Sequence, residues 1–216
     1  MTTSLSTRNR DLLIVQEVLK GNKAAYEKIM RLYNQQLFRI GVAFLGTEEG
    51  VEDLMQNTYL KAYYHLNHFK ADAAFNTWLV RIMINECKQH LRKKEKERMF
   101  LQQWQQGKPE QIDPGIQHTL MQKEIKQVLQ QAILELPVKY RSVFILREVE
   151  QLSTEETAEL LQLTRENVKV RLLRSKTMIR KHITSSIHTK ELFSFYLTRC
   201  DRIVGNVMRE IMKLEV

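Results

Sequence analysis

Apolar side chains recur at intervals of three and four residues along most of the chain, and this spacing constrains the fold more than any other feature of the sequence. It is clearest over residues 23–44, where one helical face would carry Tyr26, Ile29, Met30, Tyr33, Leu37, Ile40 and Phe44. No stretch shows sustained two-residue alternation of β-branched residues, and seven glycines and three prolines are few for 216 residues. The sequence therefore predicts an all-α protein.

Positive charge is in clear excess. Lysine and arginine number 34 against 25 acidic residues, which gives a formal net charge of +9 and a pI near 9.5. A protein with this charge is attracted to polyanions, either nucleic acid or an anionic membrane surface. Residues 1–10 lack an apolar signal core, and no apolar run is long enough to span a bilayer. We therefore expect a cytoplasmic protein with no membrane insertion.

Chemistry-bearing motifs are scarce in this sequence. The two cysteines, Cys87 and Cys200, are far apart and belong to no CxxC or Cys/His cluster. Glu52 and Asp53 are adjacent, so their side chains diverge on a helix, and the six histidines are scattered. Because no P-loop or metal motif is present either, we expect no catalytic residues, no metal site and no cofactor. The protein is not expected to be an enzyme.

Changes in composition along the chain predict its organisation. A glutamine-rich stretch over residues 101–115 holds two of the three prolines and two of the seven glycines. It indicates an extended linker between helical blocks. We predict two small helical domains over 1–98 and 119–183, a flexible linker over 99–118 and a helical C-terminal extension over 184–216. The apolar residues of the extension predict one or two helices that pack on the second domain.

One face of the helix predicted over residues 75–92 is suited to nucleic acid. The apolar residues Leu79, Ile82, Met83 and Cys87 fall on the opposite face. Cationic groups neutralise phosphates, an aromatic ring stacks on a base, and an amide can pair with a base edge. The alternative is a solvated face with a tryptophan in the core. The face presents five side chains: Trp78, Arg81, Asn85, Lys88 and Arg92.

A helix-turn-helix is predicted near the end of the second domain. Ser153 and Glu156 have capping-box spacing, so a short helix should begin there. A tight turn at residues 162–163 precedes Thr164, which can cap a longer basic helix. That helix would turn Val168, Leu172, Ser175 and Ile179 inward. Its outward set would be Arg165, Glu166, Asn167, Lys169, Val170, Leu173 and Arg174. An ordinary helical hairpin is the alternative.

With these motifs in place, the chain resembles a bacterial RNA polymerase sigma factor of the extracytoplasmic-function (ECF) group. Residues 52–60 resemble the polymerase-binding helix of that family, and residues 69–91 resemble its promoter-melting and minus-ten segment. Residues 136–141 and 167–174 resemble its minus-thirty-five domain. The four segments occur in the order of the family.

The resemblance implies roles for individual residues. Asn85 and the loop of Phe69, Lys70, Ala71 and Asp72 would hold a flipped base of the melted minus-ten strand. The polymerase would be bound by Glu52, Asp53, Gln56, Asn57 and Leu60, with Asn57 at a position that is usually acidic. The minus-thirty-five major groove would be contacted by Lys169, Val170, Arg171, Leu173 and Arg174, next to Arg165 and Asn167.

The expected function is promoter-specific transcription initiation as a subunit of RNA polymerase. The partners would be core RNA polymerase, promoter DNA as duplex and as melted strand, and an anti-sigma factor. We expect the free protein to bind promoter DNA weakly, with its two domains held apart or masked. The alternative is a helix-turn-helix regulator that acts as a dimer and is not a polymerase subunit. A less favoured interpretation of the extension is that it forms a surface that binds a partner or an anti-sigma factor.

Overall fold

The computed structural model describes residues 2–71, 74–104, 122–182 and 197–213, and the secondary structure in these ranges is entirely helical. This confirms the predicted all-α class. The helices are α1 (Thr2–Leu19), α2 (Tyr26–Leu45), α3 (Val51–Tyr64), α4 (Phe75–Trp104), α5 (Gln122–Leu134), α6 (Val138–Phe144), α7 (Thr154–Leu161), α8 (Arg165–His182) and α9 (Leu197–Lys213).

The first domain is built around three helices that pack on one another, α2, α3 and α4. They approach closely at Gly41 of α2, where a Cβ atom would lie 2.4 Å from Val51 Cγ1 and 2.8 Å from Met83 Cε. Two buried tyrosines tie α2 to α3, because the Tyr26 hydroxyl donates to the Tyr59 carbonyl at 2.8 Å and the Tyr59 hydroxyl donates to the Met30 carbonyl at 3.2 Å. The apolar stripe predicted for residues 23–44 is buried throughout.

One helix end of the first domain differs from prediction. The helix α4 continues to Trp104, so residues 99–104 are helical although they were assigned to the linker. Glutamine, lysine and glutamate are good helix formers, and the first proline comes only at 109. The remaining linker residues, 105–118, lie outside the described ranges.

The second domain consists of α5 to α8. The helix α6 continues into a π-helical turn over Ile145–Val149 and is followed by α7 and α8. The capping box that starts α7 is present, with Glu156 N–H donating to the Ser153 hydroxyl at 3.0 Å and Ser153 N–H donating to the Glu156 carboxylate at 2.7 Å. Asn167 N–H donates to the Thr164 hydroxyl at 3.2 Å at the start of α8. The predicted short helix, the turn and the longer basic helix are therefore all present.

The two domains are docked on each other rather than held apart. Arg39 of α2 forms a two-point ion pair with Glu150 at 2.5 and 3.1 Å, and the two side chains are only 13% and 4% exposed. Nearby, the buried Arg141 of α6 donates to the Ala43 carbonyl at 2.6 Å. That carbonyl belongs to the last turn of α2, where the carbonyl oxygens have no N–H donor within the helix. Apolar side chains of both domains form one continuous core.

The C-terminal helix α9 packs on the first domain, so the prediction that the extension packs on the DNA-reading domain is wrong for this helix. The main contacts of α9 are with α2, α3 and the short turn that precedes α2. Its apolar residues follow the helical period, which predicts an amphipathic helix but not the surface that receives it. Residues 184–196 and 214–216 of the extension lie outside the described ranges.

Candidate nucleic-acid and polymerase interfaces

The face of α4 that was predicted to contact nucleic acid is open along most of its length. Arg81, Asn85 and Arg92 are exposed, and Lys88 is half-buried. The opposite face is in the core, with Leu79, Met83 and Cys87 fully buried and Ile82 packed against them. The helix therefore has the two faces that its sequence predicts.

Trp78 is a partly buried member of an aromatic cluster. Its ring lies 5.3 Å from that of Phe69 and 5.5 Å from that of Phe75, measured between centroids. Phe75 is buried, and Phe69 belongs to the loop that leads into α4. The contact fixes the start of this loop against the helix, so Trp78 has a structural role in addition to any contact with a base.

Two cations of the face lie one turn apart without an acidic residue between them. Burial and the positive charge of Arg92 both lower the pKa of Lys88. Like charges at this spacing repel each other across one helical turn. A phosphate placed between them would relieve this repulsion, which is the behaviour expected of a site that binds a nucleic-acid backbone.

The loop before α4 has an unusual backbone conformation. Ala71 has a φ of 59°, in the left-handed region that residues with a Cβ seldom adopt. Its carbonyl accepts a hydrogen bond from Arg8 Nη2 of α1 at 2.6 Å. Sequence reasoning missed Arg8, because no local pattern links positions separated by 63 residues. Lys70 is exposed, and Asp72 lies outside the described ranges.

The second domain lies against one end of the α4 face. Arg81 Nη2 donates to Glu159 Oε1 of α7 at 2.5 Å, and both side chains remain substantially exposed. Glu159 of the second domain therefore forms an ion pair with Arg81, whose guanidinium was predicted to contact DNA. Lys88 and Arg92 have no ion pair of this kind among the described residues.

The second helix of the helix-turn-helix presents its outer face to solvent. Val168, Ser175 and Ile179 are buried and Leu172 is half-buried, as predicted. Leu173 is 67% exposed and Val170 is 45% exposed, which is unusual for apolar side chains on a short domain. Such side chains suit contact with the methyl group of thymine in a major groove. The polar members of the exposed face are Arg165, Asn167, Lys169 and Arg174, with Arg171 half-buried at its edge.

The five predicted polymerase-binding residues lie along α3 in two groups. Asp53 and Asn57 are exposed, whereas Glu52, Gln56 and Leu60 are half-buried. The half-buried group faces α9. Glu52 and Asp53 stand in the first turn of α3, where the positive end of the helix dipole favours carboxylates.

Other kinds of site are not found in the described ranges. No group of three or more histidine, cysteine or acidic side chains is placed to hold a metal ion there. None of the helices described combines the length and the apolar character needed to cross a bilayer.

Comparison with known proteins matches both domains to sigma-factor families. Residues 29–97 match the family model for Sigma-70 region 2, and residues 126–179 match that for Sigma-70 region 4. The ECF RNA polymerase sigma factor SigW of Bacillus subtilis is 28% identical over 178 residues, which cover 78% of this chain and 94% of SigW. The RNA polymerase sigma-H factor of Pseudomonas aeruginosa is 29% identical over 182 residues, covering 81% and 94% of the two chains.

Solved structures share the fold. The sigma factor RpoE of Bartonella quintana, in complex with the anti-sigma factor NepR, has a TM-score of 0.54 at 20% identity and covers 76% of this chain and 96% of its own. The structure of CnrH with the cytosolic domain of CnrY has a TM-score of 0.55 at 20% identity, covering 81% and 95%. With both sigma regions in order and full-length relatives of the same kind, the chain belongs to the ECF group of bacterial RNA polymerase sigma factors.

Proposed function

We propose that the protein binds core RNA polymerase and directs promoter-specific transcription initiation, with the first domain melting the minus-ten element and the second reading the minus-thirty-five element. The observation that carries this proposal is the order of the two matched regions, each of which has an exposed basic face. The protein acts as an initiation factor, not as an enzyme, and works in the cytoplasm with the polymerase.

The exposed faces suggest a division of labour. Lys88 and Arg92 neutralise phosphates and give an affinity that depends on salt concentration. Asn85 and the loop of residues 69–72 hold the flipped base, which costs a few kcal/mol of unstacking that their contacts offset. The exposed face of α8 reads the duplex through the major groove. Asp53 and Asn57, with the rest of the α3 set, bind the polymerase.

The docked arrangement supports weak binding of promoter DNA by the free protein. Arg81 is paired with Glu159, and the buried contacts of Arg39 and Arg141 hold the second domain on the first. A promoter places its two elements far apart, so both domains can read it together only after they separate. Binding to polymerase would stabilise the separated arrangement.

An anti-sigma factor is a further proposed partner. The Bartonella quintana relative is described in complex with the anti-sigma factor NepR, and CnrH is described with the cytosolic domain of CnrY. The surfaces that an inhibitor would have to cover in this chain are the faces of α3 and α4 described above.

Analytical gel filtration with core RNA polymerase tests this proposal against the dimeric regulator. At micromolar concentrations we expect the protein alone to elute as a monomer and to co-elute with core polymerase at equal stoichiometry. A stable dimer that does not join the polymerase would support the regulator instead. Tight and specific binding to promoter duplex without polymerase would contradict the proposed masking.

A further inference from the structure

The C-terminal helix α9 is held on the first domain by a buried apolar face. Its buried residues recur every three or four positions, so they form one stripe along the helix. Burial of this stripe against α2 and α3 stabilises the docked helix, because the removal of apolar surface from water is favourable. The stripe consists of Cys200, Ile203, Val204, Val207 and Ile211.

Polar contacts with α2 fix the orientation of α9. Asn34 Nδ2 donates to Cys200 Sγ at 2.9 Å in a buried setting, and Arg31 Nη1 pairs with Asp201 at 2.9 Å. The guanidinium of Arg199 lies 5.3 Å from the centroid of the Phe38 ring. Contacts of this number and variety along one turn specify a single register for the helix.

The same helix covers part of the predicted polymerase-binding face of α3. Arg202 Nε donates to Glu52 Oε2 at 2.8 Å, and Arg199 lies 3.6 Å from the other oxygen of that carboxylate. Arg199 also pairs with Glu48 at 2.6 Å, just before α3. Acidic groups at the start of α3 therefore meet basic groups of α9, which is the charge complementarity expected of a specific contact.

Further along α3, a cleft of about 260 Å³ separates the two helices. Gln56 and Leu60 line it from α3, and Asn206, Val207 and Glu210 line it from α9. Glu52, Gln56 and Leu60 follow one another at intervals of four residues, so they form a single ridge that faces α9. Only Asp53 and Asn57 of the predicted polymerase contacts remain exposed.

We propose that α9 is an intramolecular inhibitor that occupies the polymerase-binding face of the first domain and must leave it before core RNA polymerase can bind. This inference rests on the proposed function. The helix lies outside both matched sigma regions, which end at residues 97 and 179, so it is a feature of this chain beyond the shared domains. A partner that binds α9 itself would release the sigma factor.

The proposal has a quantitative consequence for polymerase binding. When only a fraction of molecules is competent to bind, the apparent dissociation constant rises by the inverse of that fraction. If α9 is docked in about 99 of 100 molecules, its removal should tighten binding about 100-fold. We expect a gain of about tenfold or more in any variant that displaces the helix.

A matched pair of substitutions on α9 tests this expectation in the full chain. Ile203→Asp places a carboxylate in the fully buried stripe and should displace the helix, whereas Met212→Asp makes the same change at a position that is 55% exposed. Binding to immobilised core polymerase is measured by interferometry, and circular dichroism reports the helical content. We expect Ile203→Asp to bind about tenfold or more tightly than the wild type and Met212→Asp to bind like the wild type. Equal binding of the three proteins would overturn the inference.

A reversible disulfide between α2 and α9 provides a second test, which does not depend on the stability of Ile203→Asp. Asn34→Cys places a thiol beside Cys200, and oxidation with diamide should join α2 to α9 through a disulfide. Cys87 lies on α4, so the two thiols that face each other between α2 and α9 are those at positions 34 and 200. We expect the oxidised protein to lose polymerase binding and the reduced protein to regain it. Failure of the cross-link to form would contradict the docked position of α9.

The two claims fail in different ways. If locked and reduced Asn34→Cys bind core polymerase equally well, the inhibitory role of α9 is wrong while the proposed function stands. If neither Ile203→Asp nor the reduced protein binds core polymerase, although both are folded, the proposed function itself is wrong.

Discussion

Arg81 of α4 donates to Glu159 of α7 at 2.5 Å, and this contact joins the proposed minus-ten reader to the helix-turn-helix domain. The pair is exposed, so it contributes little to stability, on the order of 0–1 kcal/mol. The pair instead lowers the affinity for DNA, because the Arg81 guanidinium cannot neutralise a phosphate while it is paired with Glu159.

Glu159→Gln should therefore change DNA binding more than it changes folding. We expect the variant to bind a single-stranded minus-ten oligonucleotide a few-fold more tightly at low salt, with an unchanged melting temperature. Fluorescence anisotropy and a thermal melt measure the two quantities. Glu17→Gln removes an equal charge from α1, where Glu17 pairs with Lys28, and is the control. If Glu17→Gln gains the same affinity for the oligonucleotide, the effect comes from net charge alone.

Asn85→Ala tests the base-reading role of the α4 face. Since one good base contact contributes about 1–3 kcal/mol, the loss should reduce open-complex formation about fivefold or more. Binding to core polymerase should not change, because Asn85 lies on α4 and not on α3. Permanganate reactivity of the melted strand measures opening. Gln16→Ala, at an exposed amide of α1, is the control, and normal opening by Asn85→Ala would remove Asn85 from the site.

Gly41→Ala should destabilise the first domain. The added methyl group would lie 2.4 Å from a side-chain carbon of Val51 and 2.8 Å from one of Met83, so the helices must move apart at a cost of about 1–3 kcal/mol. Gly205→Ala is a matched control on α9, since its methyl group meets nothing within 4 Å. The control should gain up to about 1 kcal/mol from helix propensity. Urea unfolding compares the two, and a neutral Gly41→Ala would mean that α2, α3 and α4 are packed less closely.

Alkaline pH should destabilise the protein through the buried thiol of Cys87. Burial is the largest cause that raises the pKa of Cys87, from 9.0 to about 12, and the nearby Glu86 adds to it. The unfolded chain therefore releases this proton at a lower pH than the folded chain. Stability from this group is fully present below pH 9.0 and is lost as the pH rises toward about 12. Across this pH window, the urea midpoint of unfolding should fall less steeply with pH in Cys87→Ala than in the wild type. An identical slope in the two proteins would contradict the raised pKa of Cys87.

Local patterns predicted well where α7 and α8 begin and which face of α4 is exposed. Ser153 with Glu156, and Thr164 with Asn167, lie three residues apart, so the backbone bonds that start α7 and α8 could be read directly from the sequence. The two faces of α4 followed from helical spacing in the same way.

Contacts between distant segments could not be predicted on this basis. The pair of Arg39 and Glu150 joins residues 111 positions apart, and no local pattern marks either as a partner of the other. The stripe of α9 predicted an amphipathic helix but fitted either domain equally well. The acidic start of α3 and the basic residues of α9 are complementary, although only the fold brings them together.

Transcription from fragmented genomic DNA by core RNA polymerase, with and without the protein, tests the central claim most directly. Sequencing of the 5′ ends identifies each start site, and Ile203→Asp is assayed beside the wild type. We predict discrete starts that require the protein, that share minus-ten and minus-thirty-five elements, and that strengthen with Ile203→Asp. Start sites that are the same with core polymerase alone, for both proteins, would contradict its assignment as a sigma factor.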